Sequence, residues 1–343
     1  MENKTIISIK PLGFNWPVTN PFLFCAHHLD LYPAGNEEMG PAASLKGRDI
    51  GQDFTLKDGW RMYHGETIPG FPVHPHRGFE TITIVKTGLV DHSDSQEQAG
   101  RYGNGDVQWM TAGEGLQHSE MFPLLNQHGE NPAELFQVWL NLPSAKKFAK
   151  PYFKMLWAED IPKWKHTDDN GKEVEVTIIA GSIGNVKPLA PSPDSWAAYP
   201  ENEVAIWTIK MEAGAKWILP MASVQANRML YLHQGTSILV NGTFIDSYKS
   251  VELKADLEVL IENGISESNL LLLQGRPINE PVVQYGPFVM NSQIEIQQTI
   301  ADYQRTEFGG WPWPRRDMVH PRSKGRFARY HDGSEEVRGP VIN

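Results

Sequence analysis

Gly70-Phe-Pro-Val-His74-Pro-His76-Arg-Gly-Phe-Glu80-Thr-Ile-Thr-Ile-Val85 holds two patterns that decide the fold. Thr81 to Val85 alternates polar and apolar residues, the period of a half-buried strand. His74 and His76 lie two apart, and on an extended strand positions i and i+2 share a face. Both imidazoles can then point into one cavity and bind one cation. Pro75 has no backbone N–H to give, which confines it to an edge strand or a strand start.

A second cluster lies at Gly113-Glu-Gly-Leu-Gln-His118-Ser-Glu120, where His118 and Glu120 are again i and i+2. The 42 residues from His76 to His118 leave room for one or two hairpins. Two neighbouring strands could thus each offer two ligands to one barrel interior. Three imidazoles and a carboxylate suit a borderline divalent metal: Fe(II), Mn(II), Ni(II), Cu(II) or Zn(II). In an octahedral centre, four protein ligands leave two positions open for chemistry. His27 and His28 are adjacent, so a strand sends them to opposite faces. His92 and His128 sit in polar, loop-like sequence and are expected in solvent. His166, beside Asp168 and Asp169, is expected on the surface of a charged turn.

Outward from these clusters the chain reads as many short strands punctuated by 30 Gly and 25 Pro. Strands are expected at Leu135 to Leu140, Val174 to Ile179, Ala205 to Ile209, Arg228 to Leu232, Thr236 to Val240 and Leu270 to Leu273. Asn241-Gly242 signals a two-residue hairpin. Gly88 and Gly235 each follow a strand and open another, a rhythm that hints at a duplicated barrel. Pro188 to Pro193 reads as a linker or surface loop. Helices are few: a short one at Ser144 to Phe148, and one at Ser292 to Tyr303. The latter opens on a Ser292-x-x-Glu295 capping box and carries an apolar stripe of Ile296, Ile300 and Tyr303. The fold class is all-β, two sandwiches or barrels in tandem.

The 343 residues carry 31 Lys and Arg against 41 Asp and Glu, a net charge of −10. So acidic a surface argues against coating nucleic acid or an anionic membrane. With 40% hydrophobic residues the chain has the makings of a core. The single cysteine, Cys25, cannot form an internal disulfide or a Cys-x-x-Cys metal site. Met1 to Pro17 lacks the long apolar stretch of a signal peptide. The longest aliphatic run, Leu270 to Leu273, is far too short to span a bilayer. The expected location is the cytoplasm.

The stretches His74 to Thr81, Gly105-Asp-Val-Gln-Trp-Met-Thr-Ala-Gly113, His118-Ser-Glu120-Met and Glu280-Pro-Val-Val-Gln-Tyr-Gly-Pro-Phe-Val-Met-Asn291 resemble the pirin family of bicupins. The likeness covers about residues 15 to 308. It implies two cupin-type β-barrels packed face to face, with a few short helices and a C-terminal helix. The implied division is 1–180 for a metal-binding barrel and 181–310 for a barrel without metal, which also packs the N-terminal strand. An extended tail, 311–343, follows. Consistently, residues 200 to 275 hold one histidine, His233, and no His-x-His.

The resemblance implies iron held by His74, His76, His118 and Glu120. Two functions follow from it. One is an iron-dependent dioxygenase that opens flavonols such as quercetin with dioxygen, with Glu120 as the candidate catalytic base and Glu80 expected to orient His74 or His76 or to cap a turn. The other is a non-enzymatic, redox-sensitive iron protein that regulates a partner protein. Phe79, Trp109, Met110 and Phe136 are read first as core and second as lining for a flat substrate. The tail, net +3, is read as an arm folded over an acidic body. The insert from Leu124 to Glu134 carries no assigned role.

Overall fold

The computed structural model describes residues 4–339. In chain order the strands begin with β1 (Ile6–Pro11), β2 (Phe22–Tyr32), β3 (Gly70–His76), β4 (Phe79–Thr87), β5 (Leu89–Asp94), β6 (Ala99–Gly103), β7 (Val107–Thr111) and β8 (Leu116–Met121). They continue with β9 (Asn131–Asn141), β10 (Tyr152–Leu156), β11 (Lys163–Thr167), β12 (Glu173–Ala180), β13 (Ala205–Met211), β14 (Lys216–Leu219), β15 (Asn227–Gln234) and β16 (Ser237–Val240). The last are β17 (Thr243–Asp246), β18 (Lys249–Lys254), β19 (Val259–Asn263), β20 (Ser268–Gly275), β21 (Val283–Tyr285), β22 (Phe288–Met290), β23 (Arg326–Arg329) and β24 (Glu335–Arg338). The α-helix is α1 (Gln293–Thr306). The protein is all-β, as its sequence pattern indicates, and no helix among the described residues is long and apolar enough to cross a membrane.

Contacts divide the chain into two compact units. One comprises the residues to Ala26, Trp139–Asn141 and Glu159–Asn279; the other His27–Val138, Leu142–Ala158 and the residues from Glu280 onward. These limits follow strand pairing: β12 pairs with β13, and β1 pairs with β18.

The first unit has a seven-stranded sheet, β1-β18-β15-β20-β13-β12-β11, and a four-stranded sheet, β14-β19-β16-β17. Alternate residues of β12, β13 and β20 (Val174, Val176, Trp207, Ile209, Leu270, Leu272) enter one core with Trp217 and Ile238. The hairpin at Asn241-Gly242 forms as its sequence requires: Val240 pairs with Thr243, and both turn residues have positive φ, 45° and 77°. His166 corrects the expectation of a charged turn. It lies on β11, half-buried, with its ring parallel to Trp164 two residues back.

The second unit holds most of the five-stranded sheet β10-β7-β4-β9-β2 and all of the six-stranded sheet β24-β23-β6-β5-β8-β3. Strand β3 sits at the edge, where Pro75 is tolerated. Strand β4 is buried on both faces from Phe79 to Val85, not half-buried as its alternation suggests. The expected helix at Ser144 is a 3-10 turn, Ser144–Lys146. The C-terminal helix forms at its predicted cap: Ser292 Oγ accepts from Glu295 N, and Ile296 packs with Phe288, Met290 and Phe308.

Strands β5, β6 and β8 are also buried on both faces, and their outward residues include the polar Asp91, Ser93, Arg101, Gln117 and Ser119. The tail covers them. Its β23 adds to β6, with Phe327 opposite Arg101. Arg101 grips both oxygens of Asp91 at 2.7 Å and donates to the carbonyls of His320 (2.8 Å), Pro321 (3.0 Å) and Lys324 (2.6 Å). Trp313 Nε1 donates to the Asp94 carbonyl at 2.7 Å. Val73 N donates to the Arg316 carbonyl at 2.8 Å. A buried charge is tolerated when paired and fully hydrogen-bonded, and removing one partner strands the other. Arg101→Ala should therefore lower the unfolding free energy by about 3–5 kcal/mol in urea melts, and Asp91→Leu in the same chain should recover part of the loss.

Candidate metal centre

Three adjacent antiparallel strands build the site. Residues directly opposite on paired strands share a face. Across β3 and β8, His74 is opposite His118; across β8 and β5, His118 is opposite Asp94 and Glu120 is opposite His92. Each strand contributes residues two apart, so His74 and His76, His118 and Glu120, and His92 and Asp94 all turn inward. A β-bulge between Phe71 and His74 makes this work on β3. The extra residue shifts the alternation, so Phe71 and His74, three apart, meet on the inner face with ring centroids 6.4 Å apart.

His74, His76 and His118 each offer a ring nitrogen within 4.8 Å of the others. Their ring centroids lie 4.5 to 4.9 Å apart. His74 Nδ1 donates to the Pro72 carbonyl at 2.9 Å, which leaves its Nε2 as the lone-pair nitrogen. Neither ring nitrogen of buried His118 has a hydrogen-bond partner among the described residues. Burial lowers the pKa of His74 to about 4 and holds His76 and His118 well below the usual imidazole range. Three neutral, converging imidazoles with lone pairs to give are the donor set a divalent transition metal takes.

Glu120 borders this trio. Its Oε2 is 3.8 Å from His118 Nε2. Thr83 Oγ1 lies 2.9 Å from Glu120 Oε1, and Gln137 Nε2 donates to Oε2 at 3.1 Å. Burial raises its pKa; the facing His92 and then these bonds oppose the rise. Held at both oxygens, the carboxylate is fixed rather than free to swing as a base.

The other expected residues fall elsewhere. Glu80 is one residue out of phase with Thr83, so it faces the opposite side of β4, where it accepts from Trp109 Nε1 (3.1 Å) and Thr111 Oγ1 (2.7 Å). Of the four apolar candidates, Phe79 packs on His76, with ring centroids 5.0 Å apart. Trp109 shares Glu80's side, Phe136 stacks on His27, and Met110 clusters with Ala112 and Leu116. His128 is exposed, as expected.

His92 overturns its reading as a solvated loop residue. It is fully buried on β5, with its ring 5.4 Å from that of His118 and stacked on Phe153 at 5.1 Å. The sequence did contain its signal. His92-Ser-Asp94 is a third pair of ligand-type residues two apart, and the serine and acids around it disguised a strand as a loop. Thr83 and Gln137 carried no such signal.

Two inward-facing β-sheets around a histidine trio that could hold a metal define a cupin-type barrel in the second unit. Comparison with known proteins places the chain more narrowly. The pirin family profile matches residues 36–140, and the pirin C-terminal cupin domain matches residues 206–309. Pirin-1 of Arabidopsis thaliana is 36% identical over 256 residues, spanning 70% of this chain and 78% of that protein. A Pseudomonas aeruginosa protein with a provisional quercetin 2,3-dioxygenase name is 35% identical over 239 residues, 70% of this chain and 79% of that one. The crystal structure of an Acinetobacter baumannii quercetin 2,3-dioxygenase superposes with a TM-score of 0.69 at 27% identity, covering 89% of this chain and 98% of that one. The chain belongs to the pirin family of the cupin superfamily. The tail beyond residue 309 lies outside both family profiles.

Two outcomes are expected. His118→Ala should reduce bound metal per chain to background in elemental analysis, with the circular dichroism spectrum unchanged. In metal-stripped protein, histidines held below their unfolded pKa of 6.5 favour the folded state fully only above that value. Melting temperature should therefore fall as pH drops from 6.5 toward 4. Asp30, raised by burial to about 6, acts in the opposite sense and shallows the loss below pH 6. A flat profile from pH 7 to 5 would contradict the neutral-imidazole assignment.

Proposed function

We propose that this pirin-family protein is an iron-dependent dioxygenase acting on flavonols, with iron held by His74, His76, His118 and Glu120. The observation that carries the reading is the buried, neutral His118 imidazole, neither of whose nitrogens has a hydrogen-bond partner among the described residues, set between two further histidines. The likeness to a solved quercetin 2,3-dioxygenase supports the substrate class.

When bound, iron supplies Lewis acidity toward a flavonol oxygen and electrons for dioxygen chemistry. The chain's own residues do the rest. His74, its tautomer fixed by Pro72, and His118 present lone pairs without first losing a proton. Thr83 and Gln137 keep Glu120 in one orientation, so its part in catalysis is that of a ligand. Phe79 and Phe71 stand beside the histidines and exclude water from a flat aromatic ligand.

The test is oxygen consumption by anaerobically Fe(II)-loaded protein on addition of 3-hydroxyflavone and air. Turnover is expected from the wild type, and His76→Ala should lose both bound iron and at least about 100-fold in rate. Oxygen uptake that survives His76→Ala would remove this site from the reaction.

A further inference from the structure

His92 and Asp94 have no part in the ligand set, yet both face it from β5. The Asp94 carboxylate is saturated by groups that can only donate. Its Oδ1 accepts from Gln96 N (2.8 Å) and Gln98 N (3.0 Å), and its Oδ2 accepts from Gln98 Nε2 (3.0 Å). His92 Nε2 lies 3.3 Å from Oδ2. A carboxylate so placed is an acceptor, so in the neutral form of the ring the proton sits on His92 Nε2, facing Asp94, and the lone pair on Nδ1. That Nδ1 is buried and has no hydrogen-bond partner among the described residues. The ring cannot turn away. Phe153 stacks on it, and its own carbonyl is held by His320 Nε2 at 3.0 Å.

A buried acceptor without a donor costs free energy until something supplies one. Beside and opposite His92 on the inner face stand His118, which is committed to the centre, and Glu120, which in its charged form accepts only. We infer that His92 Nδ1 is the site's recognition point for a ligand hydroxyl: it accepts a hydrogen bond from an enol or phenol O–H on the molecule bound at the centre. This rests on the metal-site reading above and deepens it, because it selects ligands by class. A hydroxylated flavone satisfies Nδ1. The parent flavone leaves it orphaned, and a ligand presenting a ketone or carboxylate oxygen there sets lone pair against lone pair. Sites built to pair a buried group reject analogues lacking the partner more strongly than pockets reject a change of size.

The experiment measures binding of 3-hydroxyflavone and of flavone to zinc-loaded protein, so that no turnover intervenes, with metal content recorded alongside. The wild type should prefer 3-hydroxyflavone. His92→Phe keeps the stacking on Phe153 but removes the acceptor, and should lower that preference at least about fivefold with zinc content unchanged. His92→Asn returns an amide oxygen close to the Nδ1 position and should restore most of it. In the wild type, ¹⁵N spectra should show His92 protonated at Nε2, with the Nδ1 resonance moving on addition of 3-hydroxyflavone and not of flavone. An unchanged preference in His92→Phe, or an Nδ1 resonance indifferent to 3-hydroxyflavone, overturns the inference and leaves the metal centre standing. Absence of zinc uptake by the wild type overturns both.

Discussion

The register of β3, β8 and β5 is the constraint on which this site depends. Side chains on a strand alternate with period two, so a slip of one residue between β8 and either neighbour would send half of the polar set outward. Six groups that no apolar core would tolerate separately face one another because three strands hold phase. Strand β3 holds it only through its bulge. Without the extra residue between Phe71 and His74, the pair His74 and His76 would face the opposite side from Phe71. The bulge leaves backbone groups outside the ladder, and the Val73 N–H finds its acceptor in the Arg316 carbonyl.

That bond connects the site to the tail. The family profiles stop at residue 309, yet residues beyond it touch the backbone of two of the three strands that line the site: Arg316 at Val73 and His320 at His92. The tail also solves a second problem. Sheets whose outer face meets water can afford polar outward residues, but here Asp91, Arg101, Gln117 and Ser119 are buried. Arg101 reconciles the two by satisfying Asp91 and three tail carbonyls at once. The expected arm over an acidic body is thus a covering layer, joined by β-pairing rather than by diffuse charge.

Much of this was legible in the residues. The shared face of His74 and His76, the edge position of Pro75, the Asn241-Gly242 turn and the Ser292 cap are local signals, each fixed by two to five residues, and each formed as read. Misreadings came where the outcome depends on distant partners. His92 looked like a loop residue because Ser93, Asp94 and Ser95 are polar, and polarity predicts exposure only when no other layer covers the strand. Glu80 looked like a partner for the histidines because it is near them in sequence. Strand parity decided otherwise, and parity is set by the pairing of β4 with β7. The bulge on β3 has no sequence signature of its own.

The charge inside the barrel gives the cluster its direction. Glu120 is buried, and the donors that hold it, from Thr83 and Gln137, are neutral. Asp94 is offset by backbone and amide donors in its own turn, whereas the side chains beside Glu120 that can carry positive charge are histidines: His118 two residues back and His92 opposite on β5. An unpaired buried carboxylate is strongly disfavoured unless it is protonated or a positive charge arrives. Burial accordingly shifts the Glu120 carboxyl upward, toward its protonated form. A divalent cation among the three imidazoles reverses the balance, because it stabilises the carboxylate without requiring any imidazole to give up a proton. The histidines and the acid are therefore complementary in mechanism: burial keeps the first neutral and makes the second in need of a cation.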